Sequence, residues 1–117
     1  RVNKDPKIIM EKLLRLKGNI CIYQGEELGL LESDIEYEYI QDPFGKNFWP
    51  EFKGRDGCRI PLPWDSKSEN FGFTNNKPWL PVDKSYQSLC VDVQQNNPDS
   101  ILNFTKEKIA LRKKIAT

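Results

Sequence analysis

The feature that most constrains this chain is a very long stretch without hydrophobic periodicity, residues 24–97, between two segments of helical pattern. Glycine, proline, asparagine, aspartate and serine recur throughout it, together with most of the aromatic residues. A connection this long is uncommon inside a compact domain unless it has a function. We therefore interpret residues 24–97 as a functional loop region, in which the segment 89–93 is either a short strand or a loop edge.

The segment before this loop region predicts a helix over residues 6–17. Asp5 can cap the helix, and Pro6 suits its first position because that N–H has no intrahelical partner. Lys17 and Gly18 supply the cation and the left-handed residue that commonly end a helix. Between these signals, apolar residues recur at helical spacing, namely Ile8, Ile9, Leu13, Leu14 and Leu16.

Residues 20–23, Ile-Cys-Ile-Tyr, form a short apolar run between Gly18 and Gly25. A run of this kind is typical of a strand that is covered on both faces in a parallel sheet. A helix, a short turn and a buried strand make half of a βαβ unit, so the pattern predicts an α/β fold.

After the loop region, the sequence predicts a second main helix over residues 98–114. The capping and first-turn signals recur at 97–99, Asn-Pro-Asp. Apolar residues follow at helical spacing, namely Ile101, Leu102, Phe104, Ile109, Leu111 and Ile115. Basic residues near the end of this helix are favoured by its dipole, and we interpret them as a solvated face and not as an anion site.

Composition excludes several classes of function. The 117 residues carry 18 basic and 17 acidic side chains, so a net charge of +1 does not favour a nucleic-acid partner. No apolar stretch approaches the ~20 residues that span a bilayer, and the first residues lack the core of a signal peptide. We therefore expect a cytoplasmic protein with no membrane partner. Three widely spaced cysteines without any histidine disfavour a disulfide framework and a zinc site, so we expect reduced thiols and no cofactor.

Three segments together resemble the α-glucosidases of glycoside hydrolase family 13. They are 22–29 (IYQGEELG), 54–64 (GRDGCRIPLPW) and 99–104 (DSILNF). In the resembling enzymes these correspond to the exit of the eighth barrel strand, a loop segment of the GRDxxR(T)PMxW type, and the start of the eighth barrel helix. Segments 42–45 (DPFG) and 48–53 (FWPEFK) also resemble the bacterial branch of these enzymes.

The resemblance implies that residues 1–117 are the C-terminal fragment of a (β/α)8 TIM barrel. The fragment would comprise the end of helix 7, strand 8, a long loop 8 and helix 8, and would be largely loop with two main helices. Active sites of such barrels are built from the loops that follow the strands, so residues 24–97 would be the last active-site loop. The parent protein would be a retaining α-glucosidase that removes terminal α-linked glucose from short oligosaccharides.

The resemblance also implies that the reacting groups lie elsewhere. Retaining glycosidases use two carboxyl groups about 5 Å apart, one as nucleophile and one as proton donor. In the resembling enzymes both come from earlier strands, outside this sequence. We therefore expect no catalytic residue and no metal ligand in this segment, and no activity from the fragment alone.

Arg59 is the substrate-binding residue that the resemblance implies most directly. The matching arginine pairs with an aspartate from an early barrel loop and helps to bind the terminal glucose, so its partner would lie outside this chain. A guanidinium suits this task because its rigid fork of donors can hold a carboxylate and still meet hydroxyls. The alternative is a purely structural ion pair. Glu38 lies where related enzymes place an acid of the acceptor subsite, and its alternative role is that of a solvated glutamate.

We expect structural roles for several other polar and aromatic residues. Glu26 and Glu27 point apart as neighbours after a strand, so we expect them to accept hydrogen bonds from backbone and arginine donors. Arg55 and Asp56 predict an internal contact within the loop region. Pro-flanked tryptophans more often pin a long loop than stack on sugars, and this applies to Trp49, Trp64 and Trp79.

Two readings from other classes remain open. A non-catalytic fragment with open strand edges would self-associate, because such edges are templates for pairing with another copy. A stand-alone carbohydrate-binding module would bind glucosides without cleaving them. Within the enzyme reading, hydrolysis, transglucosylation and sucrose isomerisation depend on acceptor-side loops, and the sequence does not choose among them.

Overall fold

The computed structural model describes residues 4–116 of the chain. Its four α-helices are α1 (Pro6–Arg15), α2 (Pro43–Asn47), α3 (Val91–Gln95) and α4 (Ile101–Ala116). Short 3-10 helices occupy Glu26–Leu28, Tyr37–Tyr39, Asp56–Cys58, Glu69–Gly72 and Lys84–Leu89. Within these described residues there is no β-strand, and no helix has the length and apolarity that crossing a bilayer requires.

Helix α1 begins where the capping signals predict. The Asp5 carboxylate accepts a 2.9 Å hydrogen bond from the backbone N–H of Lys7, and Pro6 occupies the first turn. The helix ends at Arg15, two residues before the predicted end, because Leu16 adopts an extended conformation. The N–H of Leu16 then bonds to the carbonyl oxygen of Leu13.

The predicted strand at 20–23 is wrong for the described chain. These residues contain no assigned strand, and only one face of the segment is covered. Ile20 and Ile22 are partly buried against the α1–α4 contact, whereas Cys21 and Tyr23 are exposed. The physical reason is that a strand requires hydrogen bonds to a neighbouring segment, and no other described segment pairs with this one. The α/β architecture is therefore not formed within residues 4–116.

The C-terminal helix begins three residues later than predicted. Ser100 and not Asn97 caps α4, since the Ser100 hydroxyl accepts a 3.2 Å hydrogen bond from the N–H of Asn103. Residues 97–100 form a turn closed by a bond from the N–H of Ser100 to the carbonyl oxygen of Asn97. The segment 89–93, for which a strand was one alternative, instead enters α3 at Val91.

Two apolar clusters hold the chain together. The smaller one lies between α1 and α4 and is built on Met10, Leu14 and Ile101. The larger one belongs mainly to the long loop region and contains Leu28, Leu30, Ile35, Ile40, Ile60, Phe71, Leu80, Tyr86, Cys90 and Leu102. The loop region therefore has a core of its own, and this core fixes the backbone around the polar cluster described next.

Candidate functional site

The segment containing Arg59 is held against two other parts of the loop region by close backbone contacts. Gly54 has a φ of +79°, and a Cβ there would lie 2.8 Å from the carboxylate of Asp42. A Cβ on Gly57 would lie 2.2 Å from the backbone oxygen of Ser33. Only glycine permits both approaches without displacing the neighbouring segment. These two contacts fix the 3-10 helix Asp56–Cys58, which contains Gly57 and leads into Arg59.

Asp56 is a buried carboxylate whose acceptors are taken up by the backbone. Its side chain is 1% exposed. Oδ2 accepts hydrogen bonds of 2.7 Å from the N–H of Gln41 and 2.9 Å from the N–H of Asp42. Backbone donors compensate a buried charge in this way, so Asp56 connects the segment before α2 to the segment before Arg59.

Asp42 is the second carboxylate of the cluster and caps α2. Its Oδ1 accepts from the N–H of Phe44 at 3.0 Å, and its Oδ2 accepts from the N–H of Arg55 at 2.8 Å. The bond from Arg55 lowers the pKa of Asp42 most, and the Phe44 N–H and the Arg59 guanidinium lower it further, against the opposing effect of burial. Asp42 is therefore ionised at neutral pH.

The guanidinium of Arg59 contacts both carboxylates through one nitrogen. Nη1 lies 3.3 Å from Oδ2 of Asp42 and 3.4 Å from Oδ1 of Asp56. The side chain is 44% exposed, whereas the Asp42 side chain is 7% exposed. The resemblance implies a partner from outside the chain, and the loop region supplies two carboxyl partners of its own.

Sequence reasoning missed Asp42 as a partner of Arg59, although a signal for it was present. Asp42-Pro43 is the same cap-and-first-turn pair as Asp5-Pro6, and it begins α2 in the same way. The cap brings its carboxylate to the start of a helix, where the backbone of Gly54 and Arg55 passes. The contact of this cap with Arg59 is tertiary and is not predicted by the residues next to Asp42.

Glu38 is not brought to this cluster by any described contact. It lies in the 3-10 helix Tyr37–Tyr39 and is exposed. Within residues 4–116 it forms no hydrogen bond or ion pair with Arg59. The two residues that the resemblance implies as substrate-binding are therefore not bonded to each other in the described structure.

The acidic pair at the start of the loop region serves the backbone. The Glu26 carboxylate accepts from the N–H of Tyr23 at 3.0 Å, and the Glu27 carboxylate accepts from the N–H of Gly25 at 2.8 Å. The predicted backbone role is confirmed, whereas no arginine partner for either is seen among the described residues. Arg55 donates its backbone N–H to Asp42, and the Asp56 carboxylate accepts from the backbone of Gln41 and Asp42, so both residues make contacts within the loop region.

The three tryptophans have different environments. Trp49 is partly buried against the large apolar cluster, its ring centroid lies 5.5 Å from that of Tyr37, and the Lys53 ammonium lies 4.9 Å from it. Trp64 and Trp79 are about half exposed. The prediction that tryptophans pin the loop therefore fits Trp49, and it stays a prediction for Trp64 and Trp79.

The cysteines form no disulfide, as the sequence predicts. Cys21 is exposed, and Cys58 and Cys90 are buried. Burial, with the nearby carboxylates of Asp92 and Asp65, raises the pKa of Cys90 to about 11. The described residues contain no group of three His, Cys, Asp or Glu side chains arranged to hold a metal ion.

The cluster can recognise a ligand but not break a bond by nucleophilic attack. Both carboxylates are buried and accept backbone hydrogen bonds, so neither is available as a nucleophile or as a proton donor. Arg59 is about half exposed, and its contacts with the acids involve Nη1. Such a fixed fork suits the oxygen atoms of a polar ligand.

Comparison with known proteins places these features in context. The family model "Alpha amylase, catalytic domain" matches residues 1–117. A probable α-glucosidase of Rhizobium meliloti (strain 1021) is 47% identical over 107 residues, which are 92% of this chain and 19% of that protein. A probable oligo-1,6-glucosidase 2 of Bacillus subtilis (strain 168) is 34% identical over 128 residues, 94% of this chain and 23% of that protein.

Among solved structures, an α-glucosyl transfer enzyme, XgtA, superposes with a TM-score of 0.88 and 47% identity. The match covers 92% of this chain and 20% of that one. The chain thus spans about a fifth of the length of the relatives that it matches. The polar cluster around Arg59 lies within the matched family region.

Proposed function

Since this chain belongs to the α-amylase family of glycoside hydrolases, we propose that it forms part of the glucose pocket of a retaining α-glucosidase. The observation that carries the proposal is the half-exposed guanidinium of Arg59, fixed on one nitrogen by two buried carboxylates. The parent protein would remove terminal α-linked glucose from short oligosaccharides, and the rest of the barrel would supply the nucleophile and the acid/base.

Arg59 is the residue that we assign to glucose binding. Its contacts with Asp42 and Asp56 are long, at 3.3 and 3.4 Å, and both involve Nη1. Nε and Nη2 have no hydrogen-bond partner among the described residues, so their N–H groups can meet sugar hydroxyls. Glu38 is assigned to the acceptor side of the same pocket because the resembling enzymes place an acid of the acceptor subsite there, and its side chain is exposed.

The experiment that tests the proposal uses the full-length protein that carries this chain. It is assayed for glucose release from maltose, isomaltose, sucrose and an aryl α-glucoside. The isolated 117-residue chain is assayed in parallel on the same substrates. We expect the full-length protein to release glucose from at least one of them, and the isolated chain to release none. Absence of release from every substrate, or turnover by the isolated chain, would contradict the proposal.

Transfer of glucose to an acceptor other than water is a second candidate for the same pocket. The observation in its favour is the 47% identity to an enzyme named as an α-glucosyl transfer enzyme. Hydrolysis and transfer share the bond-breaking step and differ in what enters on the acceptor side. Product analysis with and without a sugar acceptor separates them, because transfer lowers free glucose and yields a longer saccharide.

Self-association is a candidate for the isolated chain and has its own observation. The segment 20–23 belongs to no helix or strand of the described residues, and Cys21 and Tyr23 on it are exposed. Unpaired extended backbone is a template for pairing with another copy. Size-exclusion chromatography at several concentrations tests this, since a concentration-independent monomer would contradict it.

A further inference from the structure

We propose that Asp56, together with Asp42, is a positioning residue that aims the guanidinium of Arg59 at the sugar. This inference rests on the proposed function, in which Arg59 binds glucose. Neither aspartate is offered as a group that touches the substrate, because both side chains are almost completely buried.

Both carboxylates are held by backbone N–H groups in addition to their contacts with Arg59. Asp56 accepts from the N–H groups of Gln41 and Asp42, which lie in the segment leading into α2. Asp42 accepts from the N–H group of Phe44, which lies in α2, and from the N–H group of Arg55, which precedes Asp56. Four main-chain donors thus bind the two carboxylates. Because of these hydrogen bonds, the two side chains are less mobile than unbonded ones would be.

Arg59 contacts both acids through a single nitrogen. In a bidentate pair, one carboxylate accepts from two nitrogens of the guanidinium, and these donors are then unavailable to a ligand. Here a single nitrogen, Nη1, lies between Oδ2 of Asp42 and Oδ1 of Asp56. The guanidinium is anchored at one corner, and the edge formed by Nε and Nη2 stays available to a ligand.

Two carboxyl groups face one guanidinium, so Arg59 has polar partners in two directions that oppose its turning toward solvent. The side chain is nevertheless 44% exposed, which gives a ligand access to it. Loss of either acid would leave the guanidinium free to rotate around the remaining contact, and a small rotation is enough to misplace donors aimed at hydroxyls.

A purely structural role for the same acids makes a different prediction. If Asp56 served only to connect the segments before α2 and Arg59, its loss would affect stability whether or not Arg59 were present. If it acts through Arg59, its effect on substrate binding must disappear when Arg59 is absent. A double-mutant cycle distinguishes these cases because it measures the coupling of the two side chains.

The experiment compares Asp56→Asn, Arg59→Ala and the double variant in the full-length protein, with Asp34→Asn as the control. Asp34 is a matched aspartate that pairs with Lys53 at the surface. We expect Asp56→Asn to lower kcat/KM about 10- to 100-fold, mainly through KM, and to add little to Arg59→Ala. If Asp56→Asn does not fold, Asp42→Asn takes its place in the same comparison with Arg59→Ala. The control should retain wild-type kinetics.

Crystal structures of the wild-type protein and the Asp56→Asn variant give a readout that does not require activity. We expect Nη1 of Arg59 to leave its position between the acids in the variant while the backbone of α2 stays in place. An unmoved Arg59, losses that multiply in the double variant, or a fully active Arg59→Ala enzyme would each overturn the inference. Absence of activity in the wild-type protein would refute the proposed function instead, and the crystal structures would still decide the positioning role.

Discussion

The guanidinium of Arg112 donates a 2.7 Å hydrogen bond from Nη1 to the carbonyl oxygen of Leu14, 98 residues earlier in the chain. The same side chain donates to the carbonyl oxygens of Leu16 and Gly18, each at 2.6 Å. Helix α1 ends with carbonyl groups that lack partners within the helix, and a cation from α4 satisfies them. One residue therefore fixes both the end of α1 and the docking of α4 beside it.

Replacing Arg112 by alanine should destabilise the chain. Three charge-assisted hydrogen bonds to backbone carbonyls are lost, and we expect the free energy of unfolding to fall by about 2 kcal/mol. Urea unfolding followed by circular dichroism measures this. Lys106→Ala, an exposed cation on the same helix, should change it by less than about 0.5 kcal/mol. Equal effects of the two substitutions would contradict the role given to Arg112.

Replacing the buried Gln94 should also destabilise the chain. Its Nε2 donates to the carbonyl oxygens of Leu28 and Leu89, both at 2.9 Å, and its Oε1 accepts from the N–H of Leu102 at 3.0 Å. Gln94→Ala leaves these groups unpaired, so we expect a loss of about 3 kcal/mol. The neighbouring Gln95→Ala alters an exposed side chain and serves as the control in the same unfolding assay.

The glycine beside Arg59 gives a steric prediction. A Cβ on Gly57 would lie 2.2 Å from the backbone oxygen of Ser33, so Gly57→Ala must displace one of two segments and should cost about 3 kcal/mol or more. Gly18→Ala is the comparison, since nothing lies within 4 Å of that site. There only its left-handed φ is disfavoured, at about 1 kcal/mol. A cost for Gly57→Ala equal to or below that of Gly18→Ala would contradict the close packing.

The prediction of fold from sequence succeeded where the determinants are local. Asp5-Pro6 located the start of α1 because a cap and a first-turn proline act within a few residues. The segment 20–23 has the composition of a strand, but a strand needs a partner segment, and none is described. The start of α4 was misplaced because the buried Gln94 accepts from Leu102 and so favours the later cap, Ser100.

The candidate site was predictable in part for the same reason. Arg59 could be identified from the segment around it, whereas its partners depend on how the loop region folds. Asp42 lies 17 residues before Arg59 and meets it only because Asp56 and the glycine at 54 bring the two segments together. Contacts of this kind are tertiary and have no periodic signal in the sequence.

Acid should weaken the fold through Asp83. Burial raises its pKa, but hydrogen bonds from Ser33 and Ser85 outweigh burial, and the net pKa is lowered. A carboxyl group with a lowered pKa in the folded state stabilises it above the unfolded pKa of about 3.9, and this contribution is lost as the pH falls through the folded pKa.

We therefore expect the thermal midpoint to fall more steeply below about pH 4 in the wild-type chain than in Asp83→Asn. Identical profiles for Asp83→Asn and wild type would contradict the assignment of this pH dependence to Asp83.

The three thiols should react at different rates in the folded chain. Cys21 is exposed, whereas Cys58 and Cys90 are buried, and the pKa of Cys90 is raised to about 11. A disulfide reagent at pH 8 should therefore modify Cys21 rapidly and the other two only after unfolding, because the thiolate is the reactive form. Mass spectrometry of peptides before and after denaturation identifies each site, and fast modification of Cys90 in the folded chain would be the contrary result.

The most direct measurement is the distance between Arg59 and a bound sugar in a crystal structure of the full-length protein with glucose. The account predicts Nε or Nη2 of Arg59 within about 3.2 Å of a glucose hydroxyl, with Nη1 still held between Asp42 and Asp56. Glucose bound in the barrel without any contact to Arg59 would contradict the assignment of this chain to the glucose pocket.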